Sequence, residues 1–207
     1  MSEARSRQQA GLMDYRVICA HMRSFPPVVI IEVAIAPGSN ELVSKSSGLA
    51  AYIFDILKQQ ADLKFICDTT LDYGPIGNPI LISKKCDLFI SISYAGGHIY
   101  YAISNSPIGL DAEMIHGEGL YTSAMNRVFS LREQYIHANL SKDLAALYEM
   151  FVWTRKEAHL KLHGRELSKY LDKLSDIEVS ASAKSCVQFV SFLVKVDVLI
   201  SICFYGY

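Results

Sequence analysis

The run DLFISISYAGGHIYYAISNSPIGLDAE, residues 87–113, contains the strongest fold signal in the sequence. Apolar and polar residues alternate over 87–93 and again over 98–104, and two glycines lie between these segments. Such alternation predicts two β-strands, and the glycines supply the backbone conformations that a tight hairpin turn requires. A third strand is expected over 107–113. It follows an Asn-Ser-Pro break at which we place the boundary between two lobes.

Helical periodicity is found on both sides of this run. Apolar residues at helical spacing predict helices over 41–60, 127–139 and 142–162. Gly164 is positioned to end the last of these helices, because glycine readily adopts the conformation found after a helix terminus.

Residues 1–13 are polar and are expected to be frayed. Strand patterns are found in both halves of the remaining chain. The segments that predict strands are 28–35, 63–67, 185–196 and 198–205. Helices and strands are therefore mixed throughout. The sequence predicts an α+β fold of two lobes, 1–105 and 106–207.

The composition argues against several classes of protein. The 207 residues carry a formal net charge of −1, so no global positive field attracts nucleic acid. The five cysteines are odd in number and contain no CxxC pair, which favours reduced thiols over a disulfide framework. No segment is long and apolar enough to span a bilayer, and no secretory signal is visible, so we expect a cytoplasmic protein.

Two carboxylates lie two residues apart in the strand predicted over 107–113. Residues two apart on a strand project to the same face, so Asp111 and Glu113 would point together. Two carboxylates on one side suit a hard divalent cation such as Mg²⁺, which commonly shares its ligands with substrate phosphates. The alternative is a solvated strand edge with no ligand.

A second chemical pattern lies on the helix predicted over 142–162. Trp153, Glu157 and Lys161 recur every four residues and share one face. Glu157 could supply a third carboxylate or a general base, and Lys161 could meet a phosphate as a point charge. The alternative is an ordinary amphipathic helix, in which a Glu–Lys pair contributes only about 0.2–0.5 kcal/mol.

Two weaker signals concern phosphate and zinc. The hairpin turn after Ser93 offers a hydroxyl and exposed amides to a phosphate, but such turns are common. His159 and His163 are spaced as two metal ligands on a helix. No glutamate follows His159 as the HExxH motif requires, and no third ligand lies at a telling distance, so a zinc site is disfavoured.

Six short motifs follow one another between residues 73 and 167. They are GNP at 77–79, SYAG at 93–96, IGLDAE at 108–113, FSLRE at 129–133, WTRKEAHLK at 153–161 and GREL at 164–167. Their order matches the pattern GKP, SHS with a glycine, (V/I)G(V/I)D(I/V)E, F(S/A)xxE, WxxKEAxxK and GxGL. The chain thus resembles the 4'-phosphopantetheinyl transferase superfamily, in its monomeric, surfactin-synthetase-activating type.

The resemblance implies a fold of two similar α+β subdomains in a pseudo-two-fold arrangement, with a coenzyme cleft between them. The lobe 1–105 would hold the nucleotide side of coenzyme A, and the lobe 106–207 would carry the metal and the catalytic helix. Mg²⁺ would be held by Asp111, Glu113 and Glu157 together with the coenzyme diphosphate.

The resemblance also implies a reaction and its partners. Phosphopantetheine would pass from coenzyme A to a serine of an apo acyl or peptidyl carrier protein, with Glu157, Asp111 and Lys161 as the catalytic residues. Glu157 would take the proton of the serine, directly or through water. The residues expected to bind coenzyme A are Lys45, Gly77, Pro79, Ser93, Tyr94, Lys156 and Lys161. A monomer with no nucleic-acid or membrane partner is expected.

The sequence departs from the family pattern at positions that would bind coenzyme phosphates. Asn78 replaces the lysine of GKP, Tyr94 replaces the histidine of SHS, and Glu166 replaces the second glycine of GxGL. Two other interpretations therefore stay open: a degenerate member that binds coenzyme A or a carrier protein with weak transfer, and a Mg²⁺-dependent phosphohydrolase. The pathway that the carrier serves is left open as well.

Overall fold

A computed structural model describes residues 5–7, 15–20, 28–35, 47–75, 77–84, 87–115, 125, 127–165, 167–177, 187–194 and 197–205. These residues form an α+β fold, as the sequence predicts. They divide into two compact units. The first contains the residues up to Ile92 and Gly97–Pro107, and the second contains Ser93–Gly96 and the residues from Ile108 onward.

The first unit is built on a five-stranded sheet and a separate two-stranded sheet. The strands are β1 (Arg5–Arg7), β2 (Tyr15–Ala20), β3 (Val28–Ala34), β4 (Thr69–Tyr73), β5 (Pro79–Ser83), β6 (Phe89–Ala95) and β7 (His98–Ser104), and the end of β6, from Ser93 onward, belongs to the second unit. The larger sheet has the order β1-β2-β3-β7-β6, and β4 pairs antiparallel with β5. Its one α-helix in the described residues is α1 (Ser47–Leu57).

Contacts between buried side chains hold α1 against the larger sheet. The Tyr101 hydroxyl on β7 donates a hydrogen bond to the carbonyl of Ala50 on α1, at 3.0 Å. The rings of Phe54 and Tyr101 lie 6.1 Å apart, and both side chains are fully buried. The helix therefore covers one face of the sheet with apolar and aromatic groups.

The second unit combines a three-stranded antiparallel sheet with a pair of helices. Its further elements are β8 (Ile108–Met114), α2 (Leu131–Ala138), α3 (Lys142–Leu162), α4 (Leu167–Tyr170), β9 (Val187–Val194) and β10 (Val198–Tyr205). The strand order is β8-β10-β9, and α3 packs on β8 and β10. A core that includes Val128, Phe129, Val152, Leu160 and Leu174 lies around α3.

A capping box determines where α2 begins. The Ser130 hydroxyl accepts a hydrogen bond from the amide of Glu133 at 3.2 Å, and a Glu133 carboxylate oxygen accepts one from the amide of Ser130 at 2.8 Å. These two bonds satisfy amide groups that have no partner at a helix terminus. The helix expected over 127–139 therefore begins at Leu131 and is shorter than the periodicity predicts.

The backbones of β8 and α3 meet at Gly109. A Cβ placed on Gly109 would lie 1.9 Å from the carbonyl oxygen of Ala158 and 2.6 Å from the amide nitrogen of Leu162. Only glycine leaves room for this approach. The contact lies two residues before Asp111, so it brings the acidic strand directly against the helix that carries Glu157 and Lys161.

Several predicted elements are confirmed and two predictions are wrong. The expected helix 142–162 matches α3, and Gly164, with φ +59°, follows its end. The segment 63–67 is not a strand but lies mostly in a 3₁₀ helix, Ala61–Ile66. Leu63 and Ile66 are both buried and lie three residues apart, which is the repeat of a 3₁₀ helix.

The other wrong prediction concerns the polar N-terminal segment. Arg5–Arg7 is not frayed but forms β1, which pairs antiparallel with β2.

Within the described residues, no helix has both the length and the apolar character needed to cross a membrane.

Candidate functional site

The second unit brings Asp111 and Lys161 together. The Lys161 ammonium lies 2.7 Å from Asp111 Oδ1. Asp111 is buried on β8, whereas the Lys161 side chain on α3 is partly exposed. An ion pair with one buried partner requires further hydrogen bonds to offset the loss of hydration.

Ser93 supplies those further hydrogen bonds. Its hydroxyl donates to Asp111 Oδ1 at 2.9 Å, accepts from the amide of Ala112 at 3.2 Å, and lies 3.1 Å from the Lys161 ammonium. The hydroxyl therefore joins the end of β6 to β8 and α3, and it fixes the orientation of the Asp111 carboxylate.

The second oxygen of Asp111 is in a different situation. Asp111 Oδ2 is buried and has no hydrogen-bond partner. A buried carboxylate oxygen without a partner is costly, so such atoms are expected where a ligand binds. A divalent cation is a suitable ligand for this oxygen.

Glu157 lies within the electrostatic field of the same carboxylates. Burial raises the pKa of Glu157 to about 8, and the charges of Asp111 and Glu113 add to this effect, while Lys161 opposes it. Two further negative charges next to a buried carboxyl group favour its protonated form. When all three acidic groups are ionised, they carry more negative charge than Lys161 alone can balance, and a bound cation would relieve this excess.

The three carboxylates do not form a closed metal cage in this arrangement. Within the described part of the chain, no group of three or more His, Cys, Asp or Glu side chains is gathered closely enough to hold a metal ion. The Lys161 ammonium lies 2.7 Å from Asp111 Oδ1. The set of Asp111, Glu113 and Glu157 fits a cation by chemistry, and its role as a metal site stays a prediction.

Lys156 does not join the other predicted site residues, and this requires a correction. Its ammonium is fully buried and bonds to Glu133 Oε2 at 2.6 Å, to the carbonyl of Leu174 at 2.9 Å and to the carbonyl of Val128. An ammonium has three N–H groups, and these three acceptors use them all. Lys156 therefore holds the core of the second unit together and is not available to a coenzyme phosphate.

The residues expected to bind the nucleotide end of the coenzyme fall into separate groups. Gly77 and Pro79 lie in the first unit, where Gly77 has φ +77° and its amide bonds to the carbonyl of Gly74 at 2.9 Å. Tyr94 is half-buried on β6. Lys45 lies outside the described residues, as does Glu166 of the GREL motif. The coenzyme-binding roles of Gly77, Pro79, Tyr94 and Lys45 stay predictions.

The histidine pair on α3 has a structural explanation. The rings of His159 and His163 lie 4.3 Å apart, and the His163 Nδ1 is hydrogen-bonded to the His159 carbonyl at 2.8 Å. Burial, with His163 and Arg165 nearby, lowers the pKa of His159 to about 4. The ring of His159 stacks on Phe189, and its buried Nδ1 has no hydrogen-bond partner.

One residue that matters for the site was not singled out for its role from the sequence. Glu133 neutralises Lys156. The S-x-x-E pattern of Ser130 to Glu133 is a capping-box signal that could have predicted the position of Glu133. Nothing in the sequence indicates that the Lys156 side chain turns into the core.

Comparisons with known proteins agree with the motifs. A family model described as the 4'-phosphopantetheinyl transferase superfamily matches residues 107–195. The chain is 31% identical over 120 residues to the 4'-phosphopantetheinyl transferase AcpT of Salmonella typhi, and equally to that of Salmonella typhimurium. The match covers 55% of this chain and 59% of each relative, so the chain spans less than two thirds of their length.

Proposed function

We propose that this protein transfers 4'-phosphopantetheine from coenzyme A to a serine of an apo carrier protein, because residues 107–195 match the family model of the 4'-phosphopantetheinyl transferase superfamily. The observation that supports this proposal best is the buried Asp111. One of its oxygens is held by Ser93 and Lys161 and the other has no partner, beside a Glu157 of raised pKa.

The reaction needs a base, a positive field and a fixed geometry. The serine oxygen forms a bond to the β-phosphorus of coenzyme A, the bond from that phosphorus to the bridging oxygen breaks, and 3',5'-ADP leaves. The serine proton passes to Glu157, directly or through water. Serine is a weak nucleophile at neutral pH, which is why a base within reach is required.

The residues of the second unit match these needs. Lys161 presents a positive charge beside Asp111, where it can balance charge that develops on the leaving phosphate. Ser93 keeps the Asp111 carboxylate in one orientation. Asp111, Glu113 and Glu157 would hold Mg²⁺. Once bound, this ion would supply electrostatic stabilisation of the diphosphate oxygens.

The test is incubation with coenzyme A, Mg²⁺ and a small panel of apo carrier proteins, followed by intact-protein mass measurement. We expect one carrier to gain the mass of one phosphopantetheine group, and no gain when its acceptor serine is replaced by alanine. Release of phosphate or phosphopantetheine to water without carrier modification would instead indicate a phosphohydrolase.

A degenerate member of the family is the second candidate. Asn78 and Tyr94 are neutral where the family pattern has lysine and histidine, which favours weak coenzyme binding. Binding of coenzyme A, measured by calorimetry, without modification of any carrier would support this candidate over an active transferase.

A further inference from the structure

We propose that Thr154 on α3 and Ser201 on β10 are positioning residues for the transfer reaction. The hydrogen bond between their hydroxyl groups sets the register of α3 on the three-stranded sheet. Because α3 carries Glu157 and Lys161, that register determines where both side chains lie relative to Asp111 on β8. The proposal rests on the proposed function. The two hydroxyl groups act through the placement of α3 and not by contact with a substrate.

The two hydroxyl groups belong to a chain of hydrogen bonds beneath α3. Thr154 Oγ1 and Ser201 Oγ lie 2.6 Å apart, and both residues are fully buried. Ser201 Oγ also lies 2.9 Å from Ser191 Oγ on β9, which accepts a hydrogen bond from Arg155 Nε at 2.9 Å. At the other end, the Thr154 hydroxyl donates to the carbonyl of Phe151 at 3.4 Å. The chain therefore begins and ends on α3 and passes through two strands.

One direction of donation satisfies the whole chain. Arg155 Nε can only donate, so Ser191 Oγ accepts there and offers its own proton to Ser201. Ser201 then donates to Thr154, whose proton goes to the Phe151 carbonyl. Each hydroxyl thus donates once and accepts once. Such a chain strengthens its own bonds, and the loss of one hydroxyl leaves a buried group without its partner.

Ser201 lies directly opposite Asp111 in the sheet, because the two residues are partners in the antiparallel pairing of β8 with β10. Side chains of paired residues project to the same face. Both indeed bond to α3, Ser201 to Thr154 and Asp111 to Lys161. The hydroxyl chain therefore joins the helix to the sheet next to the carboxylate of the candidate site.

The hydroxyl chain restricts the register of α3, whereas other contacts restrict mainly its distance from the sheet. At Gly109 the backbone of β8 touches α3 at Ala158, which limits how closely the two elements approach. Apolar contacts are non-directional and resist sliding only weakly. A hydrogen bond weakens steeply with distance, and a slip of one residue along a helix moves its side chains by about 1.5 Å. Such a slip would break the bond between Thr154 and Ser201.

The ion pair between Lys161 and Asp111 also joins α3 to the sheet, but both of its members belong to the candidate site. Contacts between these two groups change when they engage a diphosphate or a cation. The bond between Thr154 and Ser201 is buried and is kept throughout. A displacement of about 1 Å at the reacting groups is enough to slow a reaction about a hundredfold, so a fixed register matters for the rate.

The first test removes one hydroxyl at a time. At saturating Mg²⁺, Thr154→Val and Ser201→Ala should each lower kcat about tenfold or more, with a smaller rise in KM for coenzyme A, because positioning acts on the transition state. Thr154→Ser keeps the hydroxyl and should restore most of kcat. The double variant Thr154→Val with Ser201→Ala should lose little more than the worse single variant, because both substitutions break the same bond.

Thr69→Val is the matched control. The Thr69 hydroxyl on β4 donates to the carbonyl of Ile66 at 2.7 Å and is also buried, but it lies in the first unit. We expect its melting temperature to fall about as far as that of Thr154→Val, with kcat unchanged. An equal loss of kcat in these two variants would overturn the positioning role, since the loss would then reflect general destabilisation. An unchanged kcat in both Thr154→Val and Ser201→Ala would overturn it as well.

A milder variant keeps the test decisive if Ser201→Ala does not fold. Ser191 is only partly buried, and Ser191→Ala interrupts the same chain one step farther from Thr154. It should lower kcat in the same direction by a smaller factor, and Thr154→Ser should again be close to the unchanged protein. A normal kcat in Ser191→Ala together with a normal kcat in Thr154→Val would contradict the proposal.

A measurement that needs no transfer separates this proposal from the proposed function. Trp153, the one tryptophan of the chain, packs against the core around α3. Well below the melting temperature, Ser201→Ala should shift the emission maximum of Trp153, and Thr69→Val should not. If the unchanged protein modifies no apo carrier, the transferase function fails, and the emission alone decides whether the bond sets the register of α3. An identical emission in Ser201→Ala would then overturn the register as well.

Discussion

At the scale of single residues, Asp111 is the group on which the candidate site depends most. Its Oδ1 is shared between Ser93 and Lys161, while its buried Oδ2 has no partner. Asp111→Ala should leave the secondary structure intact and reduce transfer by at least about a hundredfold, because a directed electrostatic contact in a catalytic site contributes on that order. Intact-protein mass and circular dichroism measure the two effects. Turnover close to that of the unchanged protein at saturating Mg²⁺ would contradict the assignment.

Glu157 should make the stability of the protein depend on pH in an unusual direction. Its pKa is raised from 4.5 to about 8 by burial and by its acidic neighbours, so the folded protein retains a proton that the unfolded chain loses. Without divalent cations, the free energy of unfolding should therefore contain a favourable contribution at pH 4 that is lost as pH rises towards 8.

Glu157→Gln tests this dependence, because it keeps the shape of the side chain but cannot ionise. The loss of stability between pH 5 and 8, measured by denaturant titration, should be smaller in Glu157→Gln. Its kcat should fall about a hundredfold, as expected when a general base is removed. A stability profile that is the same in both proteins would show that the Glu157 pKa is not raised.

Tyr94 bears on the choice of coenzyme. The family pattern has histidine at this position and lysine at the position of Asn78, and both residues here are neutral at pH 7. A lost charge-assisted contact to the 3'-phosphate should weaken discrimination by about tenfold. We expect dephospho-coenzyme A to be used nearly as well as coenzyme A.

The substitution Tyr94→His should raise kcat/KM for coenzyme A more than for the dephospho form, mostly below the pKa of the new imidazole. Tyr94→Phe is the control for loss of the hydroxyl. If the unchanged protein strongly preferred coenzyme A to dephospho-coenzyme A, and neither substitution altered that preference, Tyr94 would have no part in recognising the 3'-phosphate.

At the scale of elements, the contact between β8 and α3 should be intolerant of any added atom. In Gly109→Ala the new Cβ would overlap the Ala158 carbonyl, which is backbone and cannot turn aside. We expect a loss of about 1–3 kcal/mol in the free energy of unfolding, typical of overpacking. Gly48→Ala is the control, because nothing lies within 4 Å of that Cβ. It should be neutral or raise stability by up to about 0.5–1 kcal/mol. Equal effects of the two substitutions would contradict the contact.

The elements that the sequence predicts well are those with long, uniform patterns. The periodicity of 142–162 gives the bounds of α3, and the alternation on either side of Gly96 and Gly97 gives the hairpin of β6 and β7. The segment around Leu63 is short and apolar, and such a run cannot be distinguished by periodicity from a buried helical turn. The pairing of Arg5–Arg7 with β2 depends on a partner strand and is invisible in a polar segment.

The candidate site is predictable only in part for a related reason. Spacing along β8 and α3 indicates which side chains share a face, and the structure does bring Lys161 to Asp111. Lys156 is adjacent to Glu157 in sequence, yet its side chain turns inward to Glu133. Spacing alone does not tell whether a lysine on a long helix faces solvent or a buried carboxylate, because that depends on the element packed against it.

At the scale of the whole molecule, the two units share a continuous hairpin. Ser93–Gly96 belong to the second unit, while the residues before and after them belong to the first. We expect a single unfolding transition in denaturant, because the chain passes from the first unit into the second and back within this one hairpin. Fluorescence of Trp153, the one tryptophan of the chain, reports on the second unit, and far-ultraviolet circular dichroism reports on both. Separate midpoints for the two signals would contradict this expectation.

The position of Ser93 also limits how the protein chain could be truncated or recombined with other chains. A fragment that begins at Ile108 would encode Asp111, Glu157 and Lys161 but would omit the hydroxyl that Asp111 and Lys161 share. The segment 107–195, which sequence comparison delimits as a module, is therefore not a unit that could be transplanted with its chemistry complete. A fragment with this chemistry would therefore have to contain both the hairpin of β6 and β7 and the helix α3.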